Sequence, residues 1–193
     1  MKFTSDIDID FADRSKILEV IDHVAASIID GQGKITPHNT GIYVTAIPLD
    51  PATSRSALDY KQAEQRGYIK LDFLNVGVYS SVRDEQHLNE LLNTPPDWNL
   101  LYDREFCQQL IHVGNHYDTL LKFPEPVNSI ARLAMFLAAI RPAKRHLIGK
   151  TWQEVGKTIW DNDGSGGYAF KRSHSISYSH LVVVHMNLLS QAK

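Results

Sequence analysis

Three aspartates at alternate positions, Asp6, Asp8 and Asp10, separated by Ile7 and Ile9 and followed by Phe11, set the character of the first element of this chain. Successive side chains of a β-strand point to opposite faces. The stretch therefore reads as a strand with the aspartates on one face and Ile7, Ile9 and Phe11 on the other, the apolar face being available for burial. Like charges at neighbouring positions repel and resist ionising together. Bulk water relieves that repulsion, and so do divalent cations. Mg²⁺ takes carboxylate oxygens and keeps several of its waters. On these residues alone two readings stay open: a metal site, or a solvated edge strand whose charges discourage edge-to-edge pairing.

The 193 residues suffice for one well-cored domain, or for one domain with a small lobe. With 43% hydrophobic and 22% charged residues the composition is that of an ordinary globular protein, which argues against disorder. No apolar run approaches the roughly 18 residues of a membrane helix. The opening "MKFTSDID" turns acidic too soon for a secretory signal. Cys107 is the single cysteine, so neither an internal disulfide nor a cysteine zinc site is expected. A cytoplasmic protein is the expectation. The net charge of −2 does not advertise nucleic acid, but its distribution is uneven. Residues 1–100 hold 15 acidic and 9 basic side chains, a balance of −6, and residues 101–193 hold 7 and 11, a balance of +4. Such a split suits an acidic metal site beside a basic groove, and chance also produces it in a chain of this size.

Asp13 is placed to cap a helix beginning at Arg14. Ile17, Val20, Ile21, Val24 and Ile28 recur at helical spacing, which predicts a helix as far as the glycines of "DGQGK" (30–34). "GIYVTAIPL" (41–49) and "GYIKLDFLNV" (67–76) read as strands. The polar stretch 51–66 reads as part helix. Helices are expected from about Ser80 to Leu92, over "REFCQQLI", and over "SIARLAMFLAAI" (129–140). "DNDGSGG" (161–167) reads as a turn, and "SISYSHLVVVHMNLLSQ" as a buried helix or strand. The pattern favours an α+β fold.

Asp72 stands in an otherwise apolar strand, where an unpaired carboxylate would be costly to bury. Beside a strand carrying Asp8 and Asp10 it would bring three carboxylates together, as a two-metal phosphoryl-transfer site requires. A pairing of Asp72 with Lys70 or a distant arginine is the structural alternative. "DNDGSGGYAFKR" (161–172) imitates a calcium loop, but Arg172 stands where the glutamate should be, so an EF-hand is rejected. His112 and His116 are spaced by four, without HExxH or a third ligand, and read as solvated or core histidines. Cys107 has no nearby base and reads as a small buried residue. "RPAKRH" (141–146) and "FKRSH" (170–174) are basic clusters near aromatic residues that suit phosphates, and a solvated face explains each of them singly.

Five blocks in order give the chain a resemblance to the catalytic core of the bacterial replicative DNA polymerase III alpha subunit, the C family. "SDIDIDF" resembles the family's block of three alternating aspartates ending in Phe. "TPHNTGIYVTAIPL" is similar to its Thr-His-Ala-Ala-Gly-Val-Val-Ile strand, and "GYIKLDFLNV" to its Gly-Leu-Val-Lys-Phe-Asp-Phe-Leu-Gly-Leu block. "NSIARLAMFLAAIRP" resembles its Ser-Phe-Glu-Asp-Leu helix ending in Arg-Pro-Gly-Pro. "GYAFKRSHSISYSHL" resembles its Gly-Tyr-Gly-Phe-Asn-Lys-Ser-His block. The resemblance implies a polymerase-beta-like nucleotidyltransferase palm, a small mixed sheet with packed helices. It implies that Asp8, Asp10 and Asp72 bind two Mg²⁺ or Mn²⁺ ions and are catalytic. Asp6 matches an aspartate usually not counted as a ligand.

The departures are equally specific. The family's Gly-Ser loop lies upstream of the aspartate block and has no counterpart in this sequence. About a hundred family residues after the first helix shrink to "DGQGKIT", and the fingers shrink to residues 143–166 and are largely absent. Arg172 replaces the Lys of Lys-Ser-His, and His174 is kept. The expectation is one compact palm-like domain over 1–193, with catalytic strands in 1–80 and a helical, basic portion in 81–193. So reduced a relative would suit a phage genome. Its expected partners are DNA, dNTP and a replication protein, with no membrane. Arg141, Lys144, Arg145, Lys171, Arg172 and His174 are expected to line a nucleic-acid-binding surface beside the aspartates. Two functions stay open: metal-dependent nucleotidyl transfer on DNA, with or without a partner chain to complete it, or a non-catalytic remnant that binds DNA or a replication protein.

Overall fold

The computed structural model describes residues 7–161 and 170–191. Asp6 and most of the 161–167 turn lie outside them. The fold is mixed α+β, in two compact units, Met1–Ser81 and Val82–Lys193.

The first unit is built on a four-stranded mixed sheet. Its elements are β1 (Ile7–Phe11), α1 (Arg14–Leu18), β2 (Val24–Ile29), β3 (Ile35–Tyr43), α2 (Tyr60–Gln65) and β4 (Leu71–Asn75). The strand order is β1-β4-β3-β2; β1 runs parallel to β4, and the other neighbours are antiparallel. Asp13 caps α1 as its sequence position suggests, its carboxylate accepting the N–H of Ser15 at 3.0 Å. Ala26, Tyr43, Ile47, Leu58 and Ala63 form a small core.

Three expectations are corrected here. The helix predicted through Ile28 stops at Leu18, and Val24–Ile29 is a strand. Val20, counted in the helical stripe, is 77% exposed. From Val24 on, the β-branched residues lose side-chain freedom in a helix. Pairing with β3 satisfies their backbone and buries Ala26 and Ser27. "DGQGK" is consequently a hairpin turn. Asp30 accepts the N–H groups of Gln32 and Lys34, both at 2.9 Å, and Gly33 takes φ +81°. The next strand runs Ile35–Tyr43 instead of 41–49, because the hairpin carries the polar "ITPHNT" into the sheet. The apolar side of β1 also stays largely uncovered: Ile7 and Ile9 are 41% and 36% exposed, while Phe11 packs on Phe73 with ring centroids 4.7 Å apart.

The second unit is helical: α3 (Glu85–Asn93), α4 (Arg104–Gln109), α5 (Tyr117–Leu120), α6 (Ile130–Ala139), α7 (Trp152–Thr158) and α8 (Arg172–Gln191), linked by 3-10 turns. Its helix starts are written in the sequence. Asp84, Asp103 and Ser129 cap α3, α4 and α6, and Thr151 with Glu154 forms a capping box on α7. α6 buries Leu133, Ala134, Phe136, Leu137, Ala138 and Ala139. The closing apolar segment, readable as helix or strand, is the helix α8, which contributes Val182 and Met186 to the core. Asn187 ties α8 to the end of α3, donating to the carbonyls of Leu91 and Thr94, both at 2.8 Å. Cys107 is buried, and burial pushes its thiol up to about 11, so it packs as a small apolar residue. No helix among the described residues is long and apolar enough to cross a membrane.

Candidate active site

The parallel pairing of β1 with β4 sets Asp8 opposite Asp72. Residues opposite each other in a sheet project to the same face, and Asp10, two residues beyond Asp8, shares it. The three carboxylates of the sequence reading thus belong to two neighbouring strands and one face. Asp8 and Asp10 are exposed on the edge strand, whereas Asp72 is 7% exposed on the inner one. The loss of surrounding water holds Asp10 above its ordinary carboxylate value, and the charge of Asp8 adds to the effect. Asp10 in turn helps to raise Tyr79, whose hydroxyl is shifted mainly by burial. This is the crowding that the alternating aspartates predict.

Asp72 is held from three directions. Lys70, two residues earlier, ion-pairs with one carboxylate oxygen. Thr40 donates its hydroxyl to the other at 2.7 Å. The Nδ1 of His38 stands 3.7 Å from that second oxygen. His38 Nδ1 also accepts the N–H of Gly41 at 2.9 Å. It therefore carries no proton in this arrangement. Burial, then the charge of Lys70, holds the ring below its ordinary value of 6.5, so at neutral pH the contact is a neutral ring beside a carboxylate.

Gly41 makes this arrangement possible. It pairs with Asp72, and a Cβ there would come within 2.7 Å of the Lys70 stem and 2.9 Å of the His38 ring. Lys70 and His38, two of the three side chains around Asp72, occupy the space that any other residue at 41 would fill. The Lys70 pairing was visible as an alternative in the sequence. The sequence reading gives Thr40 and His38 no role, because the strand it predicts begins at Gly41, six residues after the start of β3. Their spacing by two next to a glycine is the signal that could have found them.

The donor chemistry fits a hard cation, since all three carboxylates supply oxygens and two already repel each other. Asp72 would have to exchange Lys70 for the metal. Among the described residues, no group of three or more His, Cys, Asp or Glu side chains is already gathered closely enough to hold one.

The expected nucleic-acid contacts belong to the second unit. The Arg141 guanidinium sits 3.7 Å above the Phe170 ring, and Phe170 stacks on Tyr178 at 5.5 Å. His174 meets Tyr178 edge-on at 6.4 Å. The two basic segments are thereby brought together through aromatic rings. Arg145, Lys171 and Arg172 are exposed. Lys144 is corrected: it is 2% exposed, and its ammonium donates to the carbonyls of Thr158 at 3.1 Å and Asp161 at 2.7 Å. Its charge serves the end of α7 and not a surface, because a buried ammonium must be matched by acceptors.

Comparison with protein-family profiles, with curated proteins and with solved structures found no match.

Proposed function

We propose that the sheet unit is a reduced palm of the C-family kind, carrying a metal-dependent nucleotidyl-transfer site that acts on DNA with dNTP as the second substrate. The observation that carries the reading is the register of β1 on β4, with Asp8 opposite Asp72 and Asp10 on the same face. Asp8, Asp10 and Asp72 would hold Mg²⁺ or Mn²⁺. Bound there, divalent cations neutralise the charge on a transferring phosphoryl group and orient it. The chain's own residues do the rest. Lys70 ion-pairs with Asp72, Thr40 fixes one of its oxygens, and Gly41 leaves room for the Lys70 stem and the His38 ring. Arg141, Arg145, Lys171 and Arg172 offer positive charge to phosphates and His174 offers a ring nitrogen, and positioning with charge neutralisation is most of what phosphoryl transfer requires. A replication protein supplying the missing fingers belongs to the same reading.

One observation favours the second reading, a non-catalytic remnant that binds DNA or a replication protein. The Lys70 ammonium already provides at Asp72 the positive charge that a cation would bring. Primer extension with Mn²⁺ separates the two. Nucleotidyl transfer predicts extension by the wild-type chain and none by Asp8→Ala. A wild-type chain that binds the primer–template without extending it supports the remnant.

A further inference from the structure

The geometry points to a second site, in the helical unit, that binds a phosphate group between His112, His116 and Arg141. It is built from residues of the helical unit alone and shares only Arg141 with the residues read above as facing nucleic acid.

The site begins where α4 ends. After Leu110 the chain reverses through His112, whose φ of +63° is rare for a residue with a side chain. A 3-10 turn, Gly114–His116, then leads into α5. The reversal is tight: the N–H of Gly114 donates to the carbonyl of Leu110 at 3.0 Å, and that of His116 to Val113 at 2.7 Å. A Cβ at Gly114 would fall 2.5 Å from the carbonyl oxygen of Gln108, so only glycine lets the turn close on α4. The turn and the Arg141 segment enclose a pocket of about 320 Å³, at the small end of ligand sites. Its polar lining is Gln108, His112, Asn115, His116 and Arg141, and no acidic side chain is among the described lining residues.

The pocket is braced from behind. Arg141 lies on Phe170, Phe170 on Tyr178, and Tyr178 on the His112 ring at 4.5 Å. This aromatic ladder fixes a guanidinium and an imidazole relative to each other. Burial pushes both histidines below their ordinary value, the Arg141 charge adds to it at each, and Arg145 adds at His116. Among the described residues, the titratable and charged groups facing the rings are Arg141 and Tyr178 at His112, and Arg141 and Arg145 at His116. A guanidinium and two imidazoles converge in the pocket, and that donor set suits an anion. Two imidazoles, a guanidinium and the amides of Gln108 and Asn115 offer more donors than the two oxygens of a carboxylate can accept. A phosphate has enough oxygens, and charge-assisted hydrogen bonds to it are strong.

The test is a titration of the full chain with inorganic phosphate, followed through the ring signals of His112 and His116 by NMR. The expected result is a saturable shift of both signals, with tighter binding at pH 6 than at pH 8, because the anion favours the protonated rings. The His185 signal stays still. His116→Asn and Arg141→Gln each weaken binding by about tenfold or more, the size of one lost charge-assisted contact. His116→Asn keeps the test open should Arg141→Gln fail to fold. A 5′-phosphorylated oligonucleotide and its unphosphorylated twin then identify the source. A response to the first alone means a terminal phosphate, and an equal response to both means the nucleic-acid backbone. The proposal is overturned if inorganic phosphate gives no saturable shift of the two histidines, or if the shift survives unchanged in His116→Asn.

Discussion

The two units of this chain are stabilised by different means. Among the described residues, the helical unit surrounds a core of 20 buried residues, from Leu101 on the turn before α4 to Met186 on α8, whereas the core cluster of the sheet unit has five. The sheet unit leaves Ile7, Ile9, Val20, Val44, Leu49 and Ile69 exposed and buries Asp72 and Ser27. Apolar burial is non-directional and tolerant. A buried carboxylate depends on particular partners, here Lys70 and Thr40. The larger core thus rests on apolar packing, and the smaller one sits beside buried polar groups that depend on particular partners.

That contrast breaks most visibly in the helical core. Phe136 is fully buried and packs edge-on against Phe123 at 5.8 Å. Phe136→Ala is expected to cost about 3–5 kcal/mol. All three tryptophans, Trp98, Trp152 and Trp160, lie in the helical unit, so fluorescence during urea unfolding reads this change directly. A loss below about 1 kcal/mol would mean that the core is looser than its burial implies.

The corresponding weak point of the sheet unit is polar. Asp72→Ala strands the Lys70 ammonium and should cost about 3 kcal/mol, the low end for breaking a buried pair. Amide exchange at Gly41 and Phe73 should accelerate with it. Lys70→Met sharpens the comparison, because it exposes Asp72 to any cation. Mn²⁺ that binds only the folded state should then raise the Tm of Lys70→Met more than that of the wild type. Equal Tm shifts in the two proteins would count against Asp72 as a metal ligand.

A smaller effect is a pH dependence, carried by three histidines of the helical unit and shared by the sheet unit through His38. His185 on α8 accepts the N–H of Ile111 through Nδ1 at 3.1 Å, and burial holds its pKa below 6.5. His112 and His116 are shifted the same way. Between the folded and unfolded values the unfolded chain binds more protons, so stability rises with pH. The helical unit should keep its full stability above about pH 7 and lose it progressively as pH falls below 6.5 toward the folded values. His185→Gln, which can still accept the Ile111 N–H, should flatten part of that slope in fluorescence-detected melts. An unchanged slope in this variant would remove His185 from the explanation.

The sequence made some of this legible for local reasons. Asp13, Asp103 and Ser129 are caps because short polar side chains satisfy helix N-termini, and all three were readable or lie where a helix was read. Asp72 was conspicuous because a carboxylate in an apolar strand needs a partner. What stayed hidden is non-local. Val24 and Ile28 fit a helical stripe, and only their pairing with β3 makes them a strand. The contact of Thr40 and His38 with Asp72 depends on that same hairpin and on the space at Gly41. Lys144 looked like a surface cation because nothing in "RPAKRH" shows that its ammonium reaches the carbonyls of Thr158 and Asp161. His112 and His116 looked like an ordinary spacing by four, since the left-handed turn at His112 and the ladder through Phe170 and Tyr178 are tertiary features.

The proposed site requires Asp8, Asp10 and Asp72 together to take a divalent cation. Electron paramagnetic resonance of free Mn²⁺, titrated into the wild-type chain and into Asp8→Asn, tests it most directly. Asn keeps the size of the side chain and one oxygen while removing the charge. The account predicts saturable depletion of the free-ion signal by the wild type, with one or two ions bound as a two-metal site allows, and loss of most of that binding in Asp8→Asn. Mn²⁺ binding that is absent from the wild type, or identical in the variant, would contradict it.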